Sequence, residues 1–138
     1  MEMDFIREYI LTELEDIKVA IAGVMNGIEK FLVLNEARKY EIKLVMNELL
    51  VNCFDHAHPK GRQTVVLGVY AKEDKVRICV KDNGQGFEYQ YTHRSLKQPI
   101  DEKRLYSESG RGLMLVDAFC DNVKYHGNGN SVEVSIAL

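Results

Sequence analysis

Three scarcities narrow the possibilities before any motif is read. Cysteine occurs only as Cys53, Cys79 and Cys120, an odd number, far apart, never in a C-x-x-C pair and each within an apolar run. That pattern fits buried thiols in a reducing cytoplasm and argues against a disulfide framework or a zinc site. His56 and His58 stand two apart with no cysteine at metal-ligand spacing, so a transition-metal centre is not expected. Long hydrophobic runs are missing too. None approaches the ~20 residues needed to cross a bilayer, and MEMDFIREYI lacks a signal-peptide layout, so a cytoplasmic protein is expected. Finally, there is no concentration of positive charge. The net charge is −3 and the lysines and arginines are scattered, which argues against DNA or RNA as the main partner.

What is present suits one domain. A chain of 138 residues holds a single good core and is too short for two. It has no internal repeat and no low-complexity linker. Asp4–Leu11 reads as a short edge strand, and Thr12-Glu13-Leu14-Glu15 fits a capping box opening a helix to about Phe31. A second helix spans Glu36–Ala57 after Asn35 and is stopped by Pro59 and Gly61. Thr64–Ala71 and Lys75–Lys81 read as strands joined by Glu73-Asp74. Glu88–Ser109 has no sustained periodicity and is too long for a simple connection, which makes it a candidate lid. Gly112–Phe119 resumes as a helix, and Val123–His126 with Ser131–Leu138 forms a closing hairpin. This order predicts an α+β fold, a two-layer α/β sandwich with a mostly antiparallel sheet and helices on one face.

The second helix carries more polarity than a buried helix needs. Ile42, Met46, Leu49 and Cys53 form one apolar face; Tyr40, Leu44 and Val51 form another, so the helix is expected to be mostly buried. Between them run Glu48, Asn52 and His56 at i, i+4 and i+8. A buried carboxylate is costly unless paired or put to use. Such a stripe either meets water and loop backbone, or serves chemistry. In the second case Asn52 offers an oxygen to a phosphate-bound magnesium, and Glu48 can accept a proton from a hydroxyl or water.

Two glycine loops follow. In KDNGQGF (81–87), Asn83-Gly84 is a common hairpin dipeptide, but only a weakly alternating stretch comes after it. A ligand loop is the other reading. Gly84 and Gly86 let backbone approach a flat ligand, and Asp82 at the strand end offers an acceptor to an exocyclic amino group. In SESGRGLML (107–115), Gly110 and Gly112 precede an apolar helix whose free N–H groups and dipole suit phosphate. Arg111 between them either adds charge to that site or is a solvated surface residue. Neither loop is a G-x-G-x-x-G or a G-x-x-x-x-G-K-[ST] motif.

In this order, NELLVNCFDHAH (47–58), DNGQGF (82–87) and SGRGLMLV (109–116) resemble the N, G1 and G2 boxes of the GHKL superfamily of ATPases. Spacing and small size look most like its anti-sigma-factor serine/threonine kinases, over about residues 10–138. The resemblance implies that Glu48 is the general base, Asn52 a magnesium ligand, and Asp82 the acceptor from the adenine amino group. It implies further that Gly84 and Gly86 line the base pocket, that Gly110, Arg111 and Gly112 lie beside the phosphates, and that Ser131 lies near the adenine. His56 occupies a position often histidine in the family. ATP and Mg2+ are the implied cofactors. The implied partners are an anti-sigma-factor antagonist and a sigma factor, and a homodimer is implied through the N-terminal strand and helix. A non-catalytic ATP-sensing module and an ATP hydrolase of the same fold are the alternatives.

Overall fold

The computed structural model describes residues 5–56, 64–82, 116–126 and 131–138, with backbone alone for 55 and 56. The elements run β1 (Phe5–Leu11), α1 (Asp16–Phe31), α2 (Glu36–His56), β2 (Val65–Ala71), β3 (Lys75–Asp82), β4 (Asn122–His126) and β5 (Ser131–Ala137). All five strands pair antiparallel in one sheet of order β1-β2-β3-β5-β4. The α+β sandwich expected from the sequence is the fold observed.

Period-two alternation builds the sheet's inner face. Val65, Leu67, Val69 and Ala71 on β2, Val76, Ile78 and Val80 on β3, and Val132, Val134 and Ile136 on β5 are all buried. Ile17, Ala20, Val24, Met25 and Ile28 of α1, with Ile42, Val45, Met46, Leu49, Leu50 and Cys53 of α2, complete the same core. The first apolar face expected of α2 is therefore buried throughout. The second is not, because Tyr40 is mostly exposed while Leu44 and Val51 are half-buried. A helix lying on a sheet buries one broad side, and among the described residues α1 covers part of the other.

The two helix starts differ in chemistry. Asn35 caps α2, its Oδ1 accepting from the Arg38 N–H at 2.8 Å. The capping box expected at Thr12–Glu15 does not form. Glu15, the residue before α1, makes no side-chain cap bond. Instead the Asp16 carboxylate accepts from the backbone N–H groups of Thr12 and Glu13 at 3.0 and 3.1 Å. Those two bonds, the Thr12 one the stronger influence, hold the Asp16 carboxyl below its ordinary value.

Edge strand β1 is locked to α1 by two glycines. A Cβ at Gly23 would stand 2.5 Å from Tyr9 Oη, and one at Gly27 would stand 2.6 Å from Phe5 Cζ. Phe5 also faces Phe31, with ring centroids 6.4 Å apart. Alanine normally stabilises a helix interior by about 1 kcal/mol over glycine. At Gly27 the buried Phe5 ring would have to move, and overpacking of this kind costs about 1–3 kcal/mol. Gly27→Ala is thus expected to lower the melting temperature by several degrees. An unchanged or higher value in a thermal melt would refute this account of the β1–α1 seat.

Candidate nucleotide-binding site

The site begins with the parity of β3. Val76, Ile78 and Val80 point inward, so Asp82 at the strand's end points inward as well and is only 2% exposed. Strand alternation has carried a carboxylate onto the core side of the sheet, at its edge. Its cross-strand partner on β2 is the buried Val65. Both flanks of β3 are taken, by β2 and β5, which leaves no place beside it for a further hairpin strand. Asn83-Gly84 itself lies outside the described residues.

Against this strand end lies α2. Asn52 is 3% exposed, and its Nδ2 has no hydrogen-bond partner among the described residues. A buried amide donor left unsatisfied costs on the order of 1–3 kcal/mol. One turn earlier and half-buried stands Glu48, on the same helix face. His56 ends α2, and its side chain lies outside the described residues.

One proximity was not legible from the sequence. The buried Cys53 thiol on α2 lies close enough to Asp82 to feel its carboxylate. Burial first, then that nearby carboxylate, pushes the Cys53 thiol well above its ordinary value. It therefore stays an S–H donor. Burial also raises the other two thiols, Cys79 to about 11 with help from its bond to Glu133, and Cys120 to about 12 beside Asp121 and Asp117. All three cysteines are free.

Ser131 stands apart. It opens β5 opposite Lys81, and alternation places it on the face away from Val132, Val134 and Ile136. Asp82 lies on the inner face. The structure does not bring these two side chains together, because the expectation for Ser131 rested on chain position and ignored strand parity. Gly84, Gly86, Gly110, Arg111 and Gly112 lie outside the described residues, as does the candidate lid at 88–109. Of the helix expected over Gly112–Phe119, residues 116–119 are described and helical, with Val116 buried in the core.

A groove of about 740 Å³ opens between α1 and α2, lined by residues that include Leu14, Ile17, Ile21, Asn47 and Val51. Asn47 and Val51 each precede a stripe residue by one position, about 100° around the helix. The groove is thus a separate, more apolar feature. No helix among the described residues is long and apolar enough to cross a membrane.

Comparison with known proteins settles what this architecture is. The pattern of the histidine kinase-like ATPase domain matches residues 11–136. The chain belongs to this family. Within it, the chain is similar to the serine-protein kinase RsbW of Staphylococcus aureus. Identity is 27% over 101 residues with the proteins of strains MSSA476, MW2 and JH9. The match covers 69% of this chain and 63% of each relative, so it spans less than two thirds of their length. Histidine kinase-like ATPases use ATP.

Proposed function

We propose that this chain is a cytoplasmic, Mg-ATP-dependent serine/threonine kinase of the anti-sigma-factor type. It transfers the γ-phosphoryl group of ATP to a hydroxyl of an antagonist protein, and it sequesters a sigma factor. The observation that carries the reading is the convergence of α2 and the end of β3, where Asn52 and Asp82 are the two buried polar residues of the described chain. The similarity to serine-protein kinases supports the reaction class.

In this reading the whole of 1–138 is one ATP-binding domain and 88–109 is its lid. Asp82 accepts from the adenine amino group, and Gly84 and Gly86 admit the base edge-on. Gly110, Arg111 and Gly112 meet the phosphates. Ser131, on the outer face, has no part in the base contact.

The donor set at Asn52 fits magnesium. That ion takes one or two oxygens from protein and the rest from phosphates and water. Asn52 would hold it through Oδ1, and when bound it offsets phosphate charge. Glu48 removes the proton from the attacking hydroxyl. The hydroxyl oxygen then bonds to the γ-phosphorus as the bond to the bridging oxygen breaks and ADP leaves. Positioning and charge neutralisation supply most of the acceleration in such a transfer.

The test is to recover binding partners from the native cell and incubate them with the protein and labelled Mg-ATP. One partner is expected to gain phosphate on serine or threonine. Binding of Mg-ATP without labelling would leave a nucleotide-sensing module, and release of free phosphate without labelling would indicate an ATP hydrolase.

A further inference from the structure

The second apolar row of α2 is not used by the nucleotide site and is only partly covered. Tyr40 is 62% exposed, and Leu44 and Val51 are half-buried. Leu14, in the turn before α1, is 55% exposed. Leu14 and Val51 both line the groove between the two helices, together with Ile17 and Ile21. We propose that this groove is a docking site for an amphipathic helix of a partner protein, with apolar residues seated between α1 and α2 and acidic residues set against Lys18 and Lys43. The inference stands whether or not the chain binds nucleotide.

Shape favours a helix. The lining comes from the start of α1 and the later half of α2, and two neighbouring helices leave a channel into which the ridges of a third can pack. A space of about 740 Å³ admits the few apolar side chains that one face of a helix presents at i, i+3, i+4 and i+7. Exposed apolar surface gathered in this way, rimmed by polar residues, is the usual mark of an interaction site.

Charge decides the kind of helix. Lys18 lies on the α1 wall of the groove, and Lys43 stands one turn before Asn47 on the same side of α2. Both lysines are exposed, and neither has an ion-pair partner among the described residues. The cations nearer the start of α2 differ, for Arg38 pairs with Glu41, and Lys39 with Glu29 and Glu36. One unpaired lysine on each helix suits carboxylates on both flanks of an apolar stripe. Glu15, beside Leu14, is the acid in the lining, so cations outnumber it two to one. A second copy of this chain fits less well, because an isologous contact sets the lysine-bearing patch against itself.

The experiment measures, by fluorescence anisotropy, binding of two labelled helical peptides to the full chain. Both carry leucines at i, i+3, i+4 and i+7; one is flanked by glutamates and the other by lysines. The acidic peptide is expected to bind about tenfold more tightly than the basic one. Added salt, which needs no variant, should erase that preference. The double variant Lys18→Glu, Lys43→Glu should reverse it. Leu14→Ser should weaken the acidic peptide by about tenfold through lost apolar burial. All three side chains are exposed, so the variants are expected to keep the wild-type melting temperature. No binding of the acidic peptide, equal binding of the two, or a preference that survives salt or the charge reversal overturns the proposal. A dimer that sedimentation detects and that Leu14→Ser dissolves also overturns it, since a second copy would then cover the groove.

Discussion

Glu48→Gln is expected to lower phosphoryl transfer to the protein substrate by about a hundredfold to ten-thousandfold, with ATP affinity nearly unchanged. The range is that of a lost general base. Glutamine keeps the shape and a carbonyl oxygen of the side chain but cannot take a proton at neutral pH. Glu48 is half-buried on α2, one turn before Asn52, and glutamine fills the same volume there. The fold should therefore survive, which a thermal melt can verify. Single-turnover transfer from labelled ATP, read beside equilibrium ATP binding, separates the step from the site. Equal loss of both would make Glu48 a binding residue. Full transfer by the variant would remove it from the reaction.

The second large effect belongs to Asp82→Asn. The carboxylate is the acceptor for the adenine amino group in the proposed pocket, and asparagine replaces one of its oxygens by an N–H2 donor. A buried charge-assisted bond is worth about 1.5–3 kcal/mol, which corresponds to roughly ten- to a hundredfold in affinity. Calorimetric titration of ATP into the variant should show that loss. Unchanged affinity would count against the whole pocket assignment, since no other carboxylate among the described residues is buried. Asp82 is buried at the edge of the core, so the variant's fold should be followed in parallel.

Much of this was legible in local pattern. Period-two alternation announced β2, β3 and β5, and the polar Glu48–Asn52 stripe could be read on a helix otherwise rich in apolar residues. The three boxes in order carried the family, and the match over residues 11–136 agrees with them. Local pattern also misled in places. Thr12–Glu15 has the spacing of a capping box, but the Asp16 carboxylate takes the backbone N–H groups of Thr12 and Glu13 instead. Tyr40 belongs to an apolar row of α2 and still faces solvent, because burial depends on what packs opposite.

The sequence by itself determined the elements, the buried side of each strand and the family, because these follow from periodicities and spacings within a few residues of one another. Only the tertiary structure decided which strands flank β3. It alone set Ser131 on the face away from Asp82 and brought the Cys53 of α2 near Asp82 of β3. Those facts depend on how a helix lies across a sheet, and the residues concerned are tens of positions apart. Proximities at that separation are selected by the packing of the whole core, and no local pattern records them.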